Sequence, residues 1–519
     1  MRLLARISLA ILLSLALLPI AKAQCPDRPA TGTVVQDPYS ISSQNGVLSA
    51  GMVMGYSVDQ FGYSHYCYQY QTGTGVVEAP TLRVNPGDQL DLNIVDRVPQ
   101  QDGSTMKMNM APAAGAVCGD TGTATVSSTN VHFHGMNVPP KCHQDDVINT
   151  LIQPGTPGFG YKVQVPTDEP PGLYWYHPHV HGFTEFQVNG GAAGALIVEG
   201  MEKVRPEVTG LTEKVFVIRQ QFLVPWVPGP YEMTLNYQVI PQFGNGPIVQ
   251  MKPGEKQFWR VANATLQDFL QLQVVVNGQP EPLEMIALDG YPLATTRNET
   301  TILIPPAGRA EFIVQAPPAG GTGSFTTLAY STGPTGNPDL AQTLATIQLS
   351  DNALGKRAPK SPSVAPNTLK FADLAEQPAT TERKLYFSEE FGGTNGPIQF
   401  YITVDGQPQR VFTADEKPAI VTHVGAVEDW TIENRALETH AFHIHQIHFK
   451  VLEIDGKPAP NQDLLDTITL PYWDGKSPYH SVKLRMDFRD PNTAGTFVFH
   501  CHILLHEDLG MMHKILVEP

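Results

Sequence analysis

Short apolar runs recur along the whole chain and are separated by glycine, proline and polar residues. They are rich in β-branched and aromatic side chains, as in the segments EKVFVIRQQF, EKQFWRVANA and AGRAEFIVQA. Runs of this length and composition, bounded by turn-forming residues, are typical of β-strands. Because 45 glycines and 45 prolines punctuate these runs, the pattern predicts an all-β protein built of Greek-key sandwiches.

The chain has 519 residues, a length that predicts about three domains. The strand-like segment GGAAGALIVEG ends at Gly200 and is expected to close the first domain, residues 24–200. A second domain is predicted over residues 201–352. The stretch that follows, residues 353–382, is rich in proline, alanine, serine and threonine, and we interpret it as a linker. The third domain is predicted over residues 383–519.

The first 23 residues have the pattern of a secretory signal peptide. Arg2 and Arg6 flank the start of an apolar run, and an Ala-x-Ala ending predicts cleavage after Ala23. Because the two arginines are not adjacent, a twin-arginine signal is absent and Sec-type export is predicted. We therefore expect a periplasmic or secreted protein without a membrane span in its mature form.

The formal net charge of the chain is −16 at pH 7. Nucleic acids and anionic membranes are therefore not expected as partners, whereas neutral or cationic substrates are compatible with this charge. The sequence also contains no phosphate-binding loop, no dinucleotide-binding fingerprint and no Ser-His-Asp context. The sequence therefore gives no sign of nucleotide-dependent chemistry or of a serine-hydrolase site.

The most informative segment is HCHILLHEDLGMM near the C-terminus, in which Cys501 stands between His500 and His502. Side chains two apart on a β-strand share a face, and the residue between them points the other way. As a strand, this segment would present His500 and His502 to one site and Cys501 to another. A cysteine thiolate, two imidazoles and a weak thioether are the ligands of a blue-copper centre. His506 and Met511 follow in the same segment, and the second imidazole must come from elsewhere.

Three more His-x-His pairs lie beside β-branched or aromatic residues, which predicts strands that carry both imidazoles on one side. They are His132 and His134, His177 and His179, and His443 and His445. A single pair is weak evidence, because two histidines on a strand are more often surface or core residues. Four pairs give eight imidazoles, too many for one ion, and indicate a small cluster of copper ions. His440 is left over to join Cys501.

These four motifs, in their order along the chain, resemble those of the multicopper oxidases, and within that family the three-domain, laccase-like bacterial members. The resemblance implies three cupredoxin-like domains in tandem and four copper ions per chain. It implies a type 1 copper ion bound by His440, Cys501, His506 and axial Met511. It implies a type 2 copper ion bound by His132 and His443. It implies a type 3 pair bound by His134, His177, His179, His445, His500 and His502.

Some positions depart from the family pattern without removing a ligand. Phe133 stands where the family often has tryptophan, and Ala441 replaces a common proline. His181 and His448 lie close to ligand positions but have no implied role. Hydrogen bonding to a ligand and simple exposure to solvent both remain open for these two histidines.

The activity implied by the resemblance joins two half-reactions. A small reducing substrate gives single electrons to the type 1 copper, and the electrons pass from Cys501 through the backbone to His500 or His502. Dioxygen is reduced to water at the three-copper cluster after four such transfers. The expected partners are dioxygen and the reducing substrate, and the chain is expected to be a monomer.

Acidic residues near the motifs are candidates for proton transfer. Glu507 directly follows a copper ligand, and bacterial family members often carry there a glutamate that resembles a proton donor. Asp145 or Asp146 looks like the aspartate near the type 2 copper. The alternatives are that these residues only orient a ligand histidine or are solvated surface acids.

Five cysteines are present, and assigning Cys501 to copper leaves four. In an oxidising compartment an even set indicates two disulfides, for which three pairings exist. We predict Cys25 with Cys67 and Cys118 with Cys142, the second across the loop that carries the first histidine motif. Free thiols are the alternative.

Several substrates remain open. Phenols and aromatic amines are the default, because electron transfer at a type 1 site demands little of substrate shape. A cuprous-ion oxidase is the rival, since Met106, Met108 and Met110 offer soft ligands. They precede the first copper motif, however, whereas metal-oxidising relatives carry such residues in the third domain. Bilirubin oxidase-like activity and a non-enzymatic structural role in the periplasm are further alternatives.

Overall fold

The computed structural model describes residues 24–58, 64–100, 118–222, 231–242, 244–351, 368–391 and 398–519. The predicted signal peptide, the three methionines at 106, 108 and 110, and much of the predicted linker lie outside these residues. The predictions for those segments stay predictions. Within the described residues, no helix has the length and apolar character needed to cross a membrane.

The first third of the chain forms a sandwich of two mixed sheets. Its strands are β1 (Ser40–Ser42), β2 (Val47–Val58), β3 (Ser64–Thr72), β4 (Gly75–Glu78), β5 (Thr81–Val84), β6 (Gln89–Asp96), β7 (Cys118–Gly119), β8 (His132–His134), β9 (Thr150–Leu151), β10 (Phe159–Gln164), β11 (Gly172–His177) and β12 (Gly194–Val198). One sheet has the order β1-β5-β12-β11-β8 and the other β10-β6-β2-β3-β4, while β7 pairs with β9.

The middle of the chain repeats this architecture. Its strands are β13 (Thr212–Phe222), β14 (Tyr231–Leu235), β15 (Gln238–Ile240), β16 (Ile248–Met251), β17 (Lys256–Ala264), β18 (Leu270–Val276), β19 (Gln279–Pro280), β20 (Leu283–Leu288), β21 (Tyr291–Glu299), β22 (Ile302–Ile304), β23 (Arg309–Gln315), β24 (Gly323–Leu328) and β25 (Gln342–Leu349). The two sheets have the orders β15-β14-β13-β17-β23-β20-β21 and β16-β25-β24-β18-β19, and β22 joins β18.

The last part of the chain forms a third sandwich. Its strands are β26 (Thr381–Phe391), β27 (Ile398–Val404), β28 (Ile420–His423), β29 (Val427–Asn434), β30 (His440–Ile444), β31 (Phe449–Ile454), β32 (Lys457–Pro458), β33 (Leu464–Leu465), β34 (Thr467–Leu470), β35 (His480–Asp487), β36 (Gly495–Cys501) and β37 (Met512–Glu518). One sheet has the order β27-β26-β29-β35-β31-β32, with β33 joined to β31, and the other β28-β37-β36-β30-β34.

Helices are few and short in the described residues. The α-helices are α1 (Thr184–Asn189), α2 (Met201–Val204) and α3 (Leu504–Asp508), and the 3₁₀ turns are Pro206–Val208, Leu374–Glu376 and Pro491–Thr493. The predicted all-β class is therefore confirmed. Each large sheet takes its strands from one predicted domain, except that β26 begins at Thr381, two residues before the predicted start of the third domain. The exact domain boundaries stay a prediction.

The alternation of buried and exposed side chains shows how the sandwiches form. In β10, Phe159, Tyr161 and Val163 face the core, and the residues between them face solvent. Burying one face of each sheet against its partner removes these apolar groups from water. The strands β11 and β12 are buried on both faces, because Leu173 and Trp175 also pack against the second domain.

Two disulfides stabilise the first domain. Cys25 is bonded to Cys67, and Cys118 is bonded to Cys142, whereas Cys501 is a free, buried thiol. Both predicted pairings are confirmed. The second disulfide closes the segment that contains β8.

Candidate metal centre

Paired strands bring the histidine motifs together. β8 runs antiparallel to β11, with His132 opposite His177 and Trp175 opposite His134. In the third domain β30 runs antiparallel to β36, with His443 opposite His500 and Phe442 opposite Cys501. The remaining members of the pairs, His179, His445 and His502, follow directly after these strands.

The eight predicted cluster histidines meet at the boundary between the first and third domains. His500 Nε2 lies 3.3 Å from His179 Nε2 and 3.2 Å from His445 Nε2. The ring of His132 stacks on that of His445, and the ring of His134 stacks on that of His443, each with 3.9 Å between centroids. All eight side chains are buried. Each domain therefore contributes four imidazoles to one compact group.

The unpaired ring nitrogens of this group are the observation that tests its fit to metal. His132 Nδ1 donates to the Asp145 carboxylate at 3.0 Å, His177 Nδ1 to the Pro178 carbonyl at 2.8 Å, and His443 Nδ1 to the Asp466 carbonyl at 2.8 Å. The Nε2 atom of each of these three rings is buried and has no hydrogen-bond partner among the described residues. A buried lone pair without a donor is costly unless a metal ion accepts it.

Burial also keeps these rings neutral. It lowers the pKa of His177 to about 3 and that of His500 to about 4. Burial and the neighbouring imidazoles hold the pKa of His132 well below its usual range. Neutral imidazoles are the form that binds copper, so the donor set fits the metal.

The second predicted site contains Cys501, His440 and His506. Cys501 Sγ lies 3.5 Å from His440 Nδ1 and 3.9 Å from His506 Nδ1, and the two Nδ1 atoms are 3.4 Å apart. Burial raises the pKa of the Cys501 thiol, so a bound metal ion is needed to hold it as a thiolate. The Met511 side chain is buried, and the Met511 carbonyl accepts the Cys501 amide at 3.0 Å.

The closing segment is a strand only in part. β36 ends at Cys501, and α3 then turns the chain so that His506 returns to the sulfur of Cys501. Up to that point the strand alternation holds. His500 lies in the cluster, whereas Cys501 faces the second site.

Comparisons with known proteins match this geometry. A family profile described as multicopper oxidase matches residues 392–519, and another with the same description matches residues 123–203. Every histidine, cysteine and methionine of the two sites lies within one of these segments. The chain matches the multicopper oxidase family over the two segments that carry the predicted metal ligands. It is therefore a copper-dependent oxidoreductase that acts on dioxygen with a reducing substrate.

Relatives resemble the chain over most of its length. The multicopper oxidase mco of Staphylococcus haemolyticus is 24% identical over 497 residues, which cover 88% of this chain and 90% of that protein. A laccase of Bacillus subtilis is 23% identical over 426 residues, covering 75% of this chain and 79% of the laccase. The solved structure of a Campylobacter jejuni multicopper oxidase, titled a metallo-oxidase, superposes with a TM-score of 0.67 at 22% identity and covers 95% of this chain and 96% of its own. The predicted tandem cupredoxin-like fold is thus confirmed.

Glu507 lies against the cluster of eight histidines. Its carboxyl oxygens are 3.6 Å from His179 Nδ1 and 3.4 Å from His500 Nδ1, and Thr184 donates a hydrogen bond to it at 3.1 Å. Burial first, and then the adjacent Asp508, raise the pKa of Glu507 well above its usual range. The side chain can therefore hold a proton beside the cluster at a higher pH than an exposed glutamate could.

The two predicted aspartates occupy different environments. Asp145 accepts from His132 Nδ1, from the Phe133 amide at 2.9 Å and from Gln446 at 2.6 Å. The Asp146 carboxylate instead accepts from the backbone and side chain of Asn149. The geometry favours Asp145 as the residue that contacts a ligand, and the catalytic roles of both stay predictions.

Two glutamates beside the cysteine site were missed from the sequence. Glu389 Oε1 lies 3.2 Å from His440 Nε2, and Glu438 Oε2 lies 3.8 Å from His506 Nε2. Burial and the neighbouring Glu389 raise the pKa of Glu438. Glu438 stands two residues before His440, but Glu389 reaches the site only because β26 packs there, and no sequence spacing signals that contact.

A second group missed from the sequence lies behind the cluster, where the three domains meet. It contains Asp466 of the third domain with Arg309 and Asp289 of the second. Burial favours a neutral Asp466, but Arg309 outweighs it and lowers the pKa of that carboxyl. His448 belongs to this group, since its Nε2 donates to the Asp289 carbonyl at 2.8 Å, whereas His181 packs edge-on against Phe412.

Proposed function

We propose that this multicopper oxidase oxidises a small phenol or aromatic amine, one electron at a time, and reduces dioxygen to water. The observation that carries the proposal is the pairing of a buried Cys-His-His group with a separate cluster of eight neutral histidines. Copper supplies one-electron redox chemistry at the first group and multi-electron reduction of dioxygen at the second.

Four copper ions are proposed per chain. The type 1 ion would be held by His440, Cys501, His506 and Met511, and the type 2 ion by His132 and His443. The type 3 pair would be held by His134, His177, His179, His445, His500 and His502. The close approach of the Nε2 atoms of His179, His445 and His500 supports a shared ion at that point.

The chain itself links the two groups. Cys501 is bonded through its backbone to His500 on one side and to His502 on the other. The electron path between the sites therefore needs no gap through solvent. Glu507 would supply protons to the cluster, and Asp145 would fix the orientation of His132.

A small cavity supports access to the cluster. It has a volume of about 60 Å³, borders His179, and is lined mainly by apolar side chains such as Val147, Phe412 and Val498. A space of this size admits dioxygen or several water molecules. Because dioxygen is apolar, an apolar lining suits its approach.

We assign the protein to the periplasm or the cell exterior, reached by a Sec-type signal peptide, and expect a monomer. The two disulfides support an oxidising compartment. The net charge of −16 supports a soluble partner over nucleic acid or an anionic membrane.

Cys501→Ser tests the proposal. The wild-type protein loaded with copper should show a blue absorption band and should consume dioxygen with a phenol. The variant should lose both the band and turnover yet keep much of its cluster copper, because no cluster histidine is changed. His480→Gln, at a partly exposed histidine paired with Asp455, is the control and should behave as wild type. Full activity of Cys501→Ser would refute the proposal.

A second candidate, oxidation of cuprous ions, is favoured by the two glutamates beside the Cys501 site. The Glu389 side chain is 2% exposed, and its Oε1 lies 3.2 Å from His440 Nε2. Two neighbouring carboxylates with little exposure to solvent repel each other, and a cation between them stabilises the pair. A cuprous ion bound by the two glutamates would supply this positive charge, and it would lie beside the rings of His440 and His506.

Glu389→Gln and Glu438→Gln separate the two substrate classes. If the donor is cuprous ion, its kcat/KM should fall at least about tenfold, equivalent to losing about 1.4 kcal/mol of interaction, while the value for a neutral phenol changes less. Glu390→Gln is the matched control, since Glu390 neighbours Glu389 but bonds to Gln409 and Tyr401. Equal effects on both substrates would exclude a cation-specific role for the pair.

A further inference from the structure

The second domain contributes no histidine to the cluster, yet one of its arginines lies directly behind it. Arg309 begins β23 and is fully buried. Its guanidinium donates to both carboxylate oxygens of Asp466, at 2.8 Å for Oδ1 and in close contact for Oδ2. This is a bidentate ion pair between the second and third domains.

Every donor of Arg309 has an acceptor. Nε donates to the Leu173 carbonyl at 3.3 Å, Nη1 also donates to the Ala307 carbonyl at 3.0 Å, and Nη2 also donates to the Asp289 carbonyl at 2.9 Å. Lysine has three donors on a single nitrogen and cannot reproduce this fork. The side chain is therefore fixed by contacts to all three domains.

Asp466 contacts two histidines of the cluster and so fixes their rings. Its Oδ1 lies 3.2 Å from His134 Nε2, and its backbone carbonyl accepts from His443 Nδ1 at 2.8 Å. Because these oxygens only accept, the facing nitrogens must carry the protons. The lone pairs then lie at His134 Nδ1 and His443 Nε2, both buried and without a hydrogen-bond partner among the described residues.

Asp289 holds the other side of Asp466. Its Oδ1 accepts the Arg309 amide at 2.8 Å, and its Oδ2 accepts the amides of Asp466 and Thr467 at 3.2 Å each. The Thr467 hydroxyl in turn donates to Asp466 Oδ1 at 2.8 Å. Both the backbone and the carboxylate of Asp466 are thus fixed.

The ion pair is closely packed against Gly135. Gly135 follows His134 with φ +85°, and a Cβ atom there would lie 2.5 Å from Arg309 Nη2 and 2.6 Å from Asp466 Oδ2. The ion pair therefore rests against the backbone that carries His134. A glycine at the end of this histidine motif is explained by the contact.

We propose that Arg309 and Asp289 of the second domain are positioning residues for the copper cluster, acting through Asp466 on His134 and His443. The inference rests on the proposed copper cluster. Arg309 and Asp289 fix the position of Asp466. Asp466 in turn determines which nitrogen of His134 and which nitrogen of His443 is free to bind copper. The second domain is thereby part of the metal site as well as a spacer between the outer domains.

Arg309→Lys tests this role. The variant keeps the positive charge but loses the fork, so the affinity of the cluster for copper should fall by about 10–100-fold, as for other residues that orient ligands. The type 2 copper signal in electron paramagnetic resonance should change as well. The blue absorption band should persist, because Arg309 makes no described contact with Cys501, His440 or His506.

Arg260→Lys is the matched control. Arg260 is an equally buried arginine of the second domain, paired with Glu213 and Glu311, and its described side-chain hydrogen bonds reach no cluster histidine. It should lose thermal stability while keeping wild-type copper affinity and the wild-type type 2 signal. If both variants change copper affinity and the signal equally, the ion pair is only structural and the inference fails.

Asp466→Asn decides the matter if Arg309→Lys does not fold. Asparagine keeps the size and the acceptor for His134 but breaks the bidentate pair with Arg309, so the same loss of copper affinity is expected. Wild-type affinity and signal in Asp466→Asn would overturn the inference. A wild-type protein that binds no copper and shows no blue band would instead refute the proposed function.

Discussion

At the scale of single residues, each of several cluster histidines has one nitrogen bound by protein and one left free. A neutral imidazole carries one N–H and one lone pair. Where Asp145 accepts from His132, or the Pro178 carbonyl accepts from His177, the lone pair is confined to Nε2. Burial prevents a second protonation, since the pKa of His177 is lowered to about 3. The protein therefore leaves one lone pair on each of these rings available to a metal ion.

The position of Glu507 beside the cluster predicts that its substitution changes the turnover rate. Gln in its place keeps the size and an acceptor for the Thr184 hydroxyl but has no proton to give. We expect Glu507→Gln to slow turnover by about 100-fold or more, the usual contribution of a positioned acid. Copper content and the blue band should be unchanged, because the acid holds no copper in the proposed site.

Glu169→Gln provides the control for Glu507→Gln. Glu169 is another buried glutamate, with its pKa raised to about 7 by burial, but it bonds to Asn137 and to no cluster histidine among the described contacts. Oxygen uptake under saturating phenol should be close to wild type in this variant. Equal rates for Glu507→Gln and wild type would exclude Glu507 as a proton donor.

At the scale of elements, the strands that carry the predicted ligands were predictable because their signal is local. His132 and His134 on β8, and His500 and Cys501 on β36, follow the two-residue alternation of a strand. The turn into α3 was not predicted, although it brings His506 to Cys501. A five-residue helix is too short to leave a periodic pattern in the sequence.

Contacts between elements far apart in the chain were beyond the sequence. Asp508 at the end of α3 accepts the amides of Gly182, Thr184 and Glu185, and so caps α1 of the first domain. Arg309 reaches Asp466 across 157 positions. Such pairs depend on how completed sandwiches pack, and neither spacing nor composition records that packing.

At the scale of the whole molecule, the second domain is joined to its neighbours by ion pairs of very different burial. Arg83 of the first domain binds Glu199 at 2.9 Å and Glu213 of the second domain at 2.8 Å, and all three side chains are at most 9% exposed. Arg297 of the second domain binds Asp463 of the third at 2.8 Å, with both side chains about 20% exposed. The nitrogen–oxygen distance between the domains is 2.8 Å in both contacts, so the two ion pairs differ mainly in burial.

Replacing each arginine by methionine measures what burial does at these boundaries. Arg83→Met leaves Glu199 as a buried charge without its partner, which should lower the free energy of unfolding by about 3–5 kcal/mol. Arg297→Met should cost about 0–1 kcal/mol, because water still solvates Asp463. Urea unfolding of the copper-loaded protein measures both losses of stability. Copper is kept at the same concentration throughout, because a bound ligand adds to the free energy of unfolding. Equal losses would mean that domain docking does not depend on the buried ion pair, and that the apolar contacts around Trp175 and Val217 are what hold the first two domains together.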